Sequence, residues 1–381
     1  MTKKCVEWLN NNRNSSPRLV YDLEKVKENF SQFVKLFGVI KPYYAVKANP
    51  SVKIVALLNK LGSNFDCASI NEIKICTDLG ISARKISFGN TVKKSDDIKK
   101  AFKLGVKLFA FDCEEELLKI REFAPRSNVY CRLEVYNGGA EWPLSKKFGC
   151  SSKELEYLLI KAKEIGLSPV GLSFHVGSQQ LSKQTWEKAI KTSSQIYKKF
   201  KKKYFELSFL NIGGGMPENY DNKKIDLKDY AKNILNQITK YYDQVMPANI
   251  IAEPGRFLVA SAGVLESEVI LIKEKEGKRW LYLDVGRYSG LAETEGEAIK
   301  YKIEFSRKNK EKKVEYIIAG PSCDSHDILY QKKLYTLPKN IKAGDRLRIF
   351  SAGSYIISYQ SEFNGIKKIK EIFLKKIKLF F

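Results

Sequence analysis

The stretch Tyr43-Tyr44-Ala45-Val46-Lys47-Ala48-Asn49-Pro50 is a short apolar, β-prone run that ends in a lysine and is closed by an Asn-Pro turn signal. The residues that follow, SVKIVALLNKLG, carry helical spacing and stop at Gly62, a common helix terminator. This strand-then-helix unit recurs along the chain. Asn64 to Ala68 reads as a strand and Asn71 to Leu79 as a helix stopped by Gly80. KISFGN, LFAFDC, VYCRLEVY, PVGLSFHVG, FELSFLNIGGG and ANIIAEPGR read as further strands, separated by amphipathic segments such as DDIKKAFKLG, SSKELEYLLIKAKEIG and Thr185 to Lys203. A helix over 24–36 precedes the first unit. Strands alternating with helices about eight times predict an α/β fold, a parallel (β/α)8 TIM-type barrel over residues 26–262.

From Val264 the pattern changes to strands joined by tight turns: VLESEVILIKEKEGKRWLYLDVG, KVEYIIAGPSC and GDRLRIFSAGSY. No long helix intervenes, so residues 264–381, with 1–25, are expected to form an antiparallel β domain. In the basic tail, apolar residues at 366, 369, 372, 373 and 377 fit one face of a helix, expected to dock on the protein's own surface.

Composition narrows the function classes. The chain has 381 residues, of which 44% are hydrophobic and 29% charged, with no apolar run long enough to span a bilayer. The N-terminus lacks a secretory apolar core, and seven scattered cysteines form no C-x-x-C pair. A reducing cytoplasm is the expected setting, with neither a disulfide framework nor a zinc site. Lysine and arginine number 67 against 43 acids, a net charge of +24. The basic residues are spread over the whole length, as in KKSDDIKK and SRKNKEKK, and read as a solvated surface. No nucleic-acid-binding signature accompanies them, so no nucleic-acid partner is expected.

In a barrel of this kind chemistry gathers at the C-terminal ends of the strands. Lys47, Asp66, Arg132, His175, Gly213–Gly215 and Glu253 all take such positions in this reading. Burial of a lysine at a strand end disfavours its charged form and leaves a nucleophilic amine, although a solvated cap is the commoner role. Gly213-Gly214-Gly215 offers backbone N–H groups for a phosphate or is a plain strand–helix loop. Glu253 and Arg256 could equally be a structural ion pair. His175 is either a core group or a ring that stacks on a planar cofactor.

Taken together, YAVKAN, FDCAS-x-x-E, SFHVGS, GGG, EPGR, G-P-x-C-D-S-x-D and a late G-x-Y and FNG resemble the pyridoxal-phosphate-dependent decarboxylases of alanine-racemase fold. These include ornithine, lysine and diaminopimelate decarboxylases, and the ornithine branch is the most similar. The motifs run in order from Pro17 to Gly365. The resemblance implies pyridoxal 5'-phosphate as cofactor, Lys47 as its Schiff-base lysine and Glu253 on its pyridine nitrogen. It implies a phosphate held by Gly214, Gly215, Arg256 and Tyr355 with Ser178 close by, and His175 on the ring face. Asp66, Glu72 and Arg132 match positions that line the cofactor and orient Lys47. It further implies a homodimer in which the 320–327 segment enters the partner's barrel mouth. Cys323 would there return a proton to the α-carbon, and Asp324 would bind the distal ammonium of a diamino acid. Glu297 falls where the ornithine enzymes carry a second acidic contact.

An aspartate after the cysteine, where diaminopimelate decarboxylases carry glutamate, favours a substrate with a cationic far end. The expected reaction is decarboxylation of L-ornithine to putrescine for polyamine synthesis. Lysine, or both amino acids, is the alternative within the class, and an inactive regulatory homologue the alternative outside it. Asn211 departs from the family pattern, which often has aspartate before the glycines, and Gly353-Ser354-Tyr355 departs from Gly-Ala-Tyr. His326 carries no role from the resemblance and is expected on the surface.

Overall fold

The computed structural model describes residues 2–12, 16–142, 147–220, 225–307 and 311–375. They divide into two units. One holds the described residues of Phe30–Pro217 and Ile225–Gly255, the other those of Met1–Asn29, Glu218–Lys224 and Arg256–Phe381.

The first unit is a closed parallel barrel. Its strands are Lys41–Ala45, Asn64–Cys67, Ile86–Phe88, Leu108–Phe111, Asn128–Arg132, Ser168–Ser173, Phe209–Asn211 and Asn249–Ala252. The last closes on the first through Ile251–Lys41 and Ala252–Pro42 pairing. The barrel interior is apolar, with Tyr130, Phe209, Ile251 and Ala110 in one cluster. The long helix Lys183–Lys203 follows the expected spacing, and Leu227–Tyr242 is a second long helix. Side-chain caps start them, from Ser182 to the Thr185 N–H and from Asp226 to the N–H groups of Lys228 and Asp229.

The surface reading of the lysines fails at Lys93. Its side chain is fully buried in the loop after Ile86–Phe88, where the ammonium meets Glu116 at 2.8 Å and donates to the Asn90 and Ala110 carbonyls.

The second unit is an eight-stranded sheet built along Ile303–Phe305, Arg346–Phe350, Gly263–Lys275, Lys278–Leu283, Lys313–Ala319 and Ile328–Pro338. It is mixed: Lys278–Leu283 pairs in parallel with Lys313–Ala319, and the other pairings along this path are antiparallel. Arg18–Asp22 joins its edge, antiparallel to Gly263–Lys275.

The tail corrects the helical expectation. Lys370–Leu374 is a strand that pairs in parallel with Arg18–Asp22. Phe373 stacks on Tyr21 at 4.9 Å, and Ile372 and Leu374 join Val20, Cys5 and Leu9 in a small core. Helical spacing misled because the edge offered by Arg18–Asp22 was not itself read as a strand; its unpaired backbone groups favour the extended form. Residues 376–381, including Ile377 of the expected helix face, lie outside the described residues.

A cleft of about 410 Å³ in this unit is lined by Arg18, Arg307, Arg346, Arg348 and Glu266. Each guanidinium there is committed to a carboxylate: Arg18 and Arg348 to Glu266, Arg307 to Asp345 and Arg346 to Glu268. All seven cysteines are free thiols. Among the described residues no helix is long and apolar enough to cross a membrane, and no three His, Cys, Asp or Glu side chains cluster as a metal site.

Candidate active site

Within the barrel unit, the ends of the strands gather the residues singled out above. Lys47 lies two positions beyond its strand, in a one-turn 3-10 helix, Val46–Ala48, and it is exposed. The expected placement on the strand itself, facing the core, is therefore corrected. The turn is built by Asn49, whose carbonyl accepts the Tyr44 hydroxyl at 2.9 Å and whose side chain accepts the Ser51 N–H at 3.0 Å. The Pro254 carbonyl accepts the Ala45 N–H, and Gly255 has no room for a Cβ, which would meet that of Ala48 at 2.8 Å. The E-P-G run is thus what lets the last strand end close against the Lys47 turn.

Asp66 is the next-to-last residue of the neighbouring strand and is 5% exposed. Burial first, and the Glu253 carboxylate second, push its carboxyl well above the usual range, against the pull of Lys47. Its Oδ1 has no hydrogen-bond partner among the described residues. The space for it is made by Gly89, whose added Cβ would sit 1.9 Å from that oxygen. Gly89 is a site residue that the sequence reading passed over; its signal was a glycine directly after the KISF strand.

Glu72 has a local role beside the one expected. Its N–H is capped by Ser69 Oγ at 3.3 Å while its own carboxylate accepts the Ala68 N–H at 2.7 Å. This is a Ser-x-x-Glu helix start in which the returning bond comes from the residue before the cap. Burial raises its pKa, opposed by the Ala68 N–H and by Lys47. Arg132 ends its strand with its guanidinium 5.0 Å from the Phe148 ring centre.

His175 follows strand Ser168–Ser173, and its Nδ1 accepts the Gly177 N–H at 3.0 Å. The proton of the neutral ring is therefore on Nε2. Burial, then the charges of Arg132 and Lys47, hold its pKa well below the ordinary histidine value. The glycine turn lies against this ring. A Cβ on Gly214 would come within 3.1 Å of His175 Nε2, one on Gly213 within 2.3 Å of the Phe174 carbonyl, and one on Gly215 within 2.4 Å of the Gly177 carbonyl. Gly213 and Gly215 also have φ of +69° and +101°, which glycine adopts without strain. Glu253 donates its N–H to the Gly213 carbonyl at 2.8 Å, and its Oε1 accepts the Asn211 amide at 2.6 Å. Ser178 lies in a short strand, Ser178–Gln180, paired with Ala140–Trp142.

The sheet unit holds the remaining candidates. Arg256 is 3% exposed and grips Glu293 with both Nη atoms, at 2.8 and 2.5 Å, while also donating to the Tyr220 hydroxyl. Tyr355 faces the same guanidinium, its ring centre 4.8 Å away. Glu293 was not anticipated, although it stands in the acidic E-T-E-G-E run.

Asp327 anchors the 320–327 segment by accepting the Arg287 N–H at 2.7 Å and the Ser322 N–H at 3.1 Å. Glycines 286 and 320 leave room for that carboxylate. On this base Cys323 is exposed, its N–H donated to Asn364 of the F-N-G motif. Asp324 accepts the His326 N–H at 2.8 Å and the Tyr288 hydroxyl at 2.7 Å, two bonds that hold its carboxyl below the usual range. His326 is exposed, as expected.

Glu297, expected as a second acidic contact, is held by backbone donors. Its carboxylate accepts the N–H groups of Gln331, Lys332 and Lys333. Partial burial would raise its pKa, and these donors bring it below the usual value.

Residues 23–260 match the family model described as pyridoxal-dependent decarboxylase, pyridoxal binding domain. The chain belongs to the pyridoxal-dependent decarboxylases. It is 33% identical to the lysine/ornithine decarboxylase of Selenomonas ruminantium over 352 residues, 92% of this chain and 87% of the relative. It is 31% identical to the ornithine decarboxylase of Mus musculus over 365 residues, 92% and 78% of the two chains. The arginine decarboxylase of Paramecium bursaria Chlorella virus shares the fold with a TM-score of 0.89 at 27% identity, covering 97% of this chain and 98% of that one. The resemblance read from the motifs is thereby confirmed for family and fold.

The residues present fit the cofactor of this decarboxylase family. An exposed amine at Lys47, a glycine turn that excludes side chains, and a Glu253 carboxylate with one oxygen already held suit an aldehyde, a phosphate and a pyridine nitrogen in turn.

Proposed function

We propose that this decarboxylase acts on L-ornithine and releases putrescine. The observation that carries the reading is the Asp324 carboxylate, held in one orientation by Tyr288 and the His326 N–H beside an exposed Cys323. An anion fixed in this way recognises a cation, which favours an amino acid whose far end is an ammonium. A second carboxylate at that end, as in diaminopimelate, would be repelled.

Pyridoxal phosphate, when bound, supplies an electron sink for the pair left on the α-carbon as carbon dioxide departs. The chain's own groups do the rest. The Lys47 amine would be the nucleophile for the aldehyde, with the Asp66 and Glu72 carboxylates as its charge partners and Arg132 acting on the same Asp66 carboxylate. Glu253 accepts from the ring nitrogen and keeps it protonated. His175, neutral at working pH, offers its ring face without adding a charge. The N–H groups of Gly214 and Gly215 would receive the phosphate, with Ser178 as a further contact. Cys323 returns the proton to the α-carbon, and the 320–327 segment delivers it with Asp324 into the barrel mouth of a second copy of the chain.

Lysine is the second reading, because a relative is named for both amino acids. One methylene is worth about 1–3 kcal/mol in a pocket. The test is carbon dioxide release from the reconstituted protein with L-ornithine, L-lysine, L-arginine and meso-diaminopimelate at equal concentration. Ornithine well ahead is expected. Lysine equal or ahead would move the substrate while keeping the mechanism, and no release from any would sink the enzyme reading in favour of a regulatory homologue.

A further inference from the structure

Asn211 ends the barrel strand Phe209–Asn211 and is fully buried, just before the glycine turn. Partners of fixed polarity assign both ends of its amide. Oδ1 accepts the Gly213 N–H at 2.8 Å, so the other end is the NH2 group, and it donates to Glu253 Oε1 at 2.6 Å. The main chain closes the ring, since Glu253 donates its N–H to the Gly213 carbonyl at 2.8 Å. The Phe174 N–H, given to the Asn211 carbonyl, ties the His175 strand end to it. Oε1 is thus the Glu253 oxygen that Asn211 holds, and Oε2 is the other oxygen of the same carboxylate.

We infer that Asn211 is a positioning residue for the reaction, a neutral donor that turns Glu253 so that one defined oxygen, Oε2, is left to accept from the pyridine nitrogen. The inference rests on the decarboxylase reading of the site. Its physical content lies in the choice of amide over acid. An aspartate at 211 would keep the bond from the Gly213 N–H but would set two carboxylate oxygens against each other. Like charges so close cannot both be ionised, and the pair would have to share a proton. An amide needs no proton to make the same contact, so the direction of Glu253 does not change with pH. The titratable and charged groups around the pair are Asp66, Glu72, Lys47, Arg132, His175 and Tyr130, whose hydroxyl is bonded to Ser87 and also meets the Asn211 side chain.

The experiment follows the absorption band of the bound cofactor and the kinetics of ornithine decarboxylation from about pH 6 to 9 in holoenzyme of wild type, Asn211→Asp and Asn211→Ala. A hydrogen bond to a charged group is worth about 1.5–3 kcal/mol, about 10- to 100-fold. Asn211→Asp is expected to gain an ionisation, in both the band and kcat, that wild type lacks. Its kcat should fall at least about tenfold between the acid and alkaline ends, with KM changing less than about threefold. Asn211→Ala is expected to lose kcat to a similar degree at every pH, without the added ionisation, which keeps the inference testable if the aspartate variant does not fold. Normalised profiles of Asn211→Asp that superimpose on wild type, or an unchanged kcat in Asn211→Ala, overturn it. A wild-type protein that shows no cofactor band overturns the reading of the site itself, and this inference with it.

Discussion

Asp324 is a half-exposed carboxylate that local donors hold in place, first the His326 N–H and then the Tyr288 hydroxyl. Both bonds favour the charged form, so its carboxyl stays anionic to lower pH than an ordinary aspartate, near 4. The KM for ornithine is therefore expected to show no loss of this contact between about pH 8 and 5. Tyr288→Phe removes one donor, which lets the pKa climb and brings the rise in KM to higher pH. Asp324→Ala should lower kcat/KM by about 10- to 100-fold, the worth of a charge-assisted contact, and leave the cofactor absorption band in place. An unchanged kcat/KM would remove Asp324 from substrate recognition. At this scale motif residues were readable and their supports were not. Nothing local in the sequence says that Gly89 makes room for Asp66, or that Glu297 is taken up by three backbone N–H groups.

Among the elements, the loop after Ile86–Phe88 differs most from its sequence appearance. Lys93 sits in a run of lysines and acids that reads as solvated surface, yet its ammonium is enclosed with Glu116 and two carbonyls. Burial pulls its pKa down to about 8, despite the Glu116 carboxylate. Between that value and the ordinary lysine value of 10.5 the unfolded chain binds more protons than the folded one, so this group makes folding relatively more favourable as pH rises through that window. Lys93→Met should destabilise at neutral pH by less than the about 3–5 kcal/mol of an orphaned buried charge, because Glu116 loses Lys93 but keeps the Lys119 ammonium at 2.5 Å. Lys93→Met with Glu116→Leu should recover much of that loss. Denaturant unfolding at pH 7 and at pH 10 checks both points. A single variant as stable as wild type at pH 7 would mean that the pair does not hold the loop.

For the whole molecule, the prediction concerns assembly. If each site takes Lys47 from one subunit and Cys323 from another, Lys47→Ala and Cys323→Ala are each nearly inactive alone. Mixed under exchange, half the dimers are heterodimers with one intact site of two, which restores about one quarter of wild-type activity. Sites confined to one chain would stay inactive on mixing, so decarboxylation measured after exchange separates the two arrangements.

The alternation of strands and amphipathic helices, with glycines at the stops, was enough to determine a parallel barrel and the strand ends at which chemistry gathers. Such periodicities are local, and each short segment carries its own. The pairing of distant segments was decided by tertiary structure. The tail took an extended form because the edge of Arg18–Asp22 was there to pair with it, although its apolar spacing suited a helix. Lys278–Leu283 and Lys313–Ala319 run in parallel inside a sheet expected to be antiparallel throughout. Asn211 acquires its meaning from Glu253, forty-two positions away, and Arg256 from Glu293, thirty-seven positions on. Hydrogen-bond partners across such separations leave no periodic trace in the chain, because what brings them together is the packing of distant segments and not the spacing within either one.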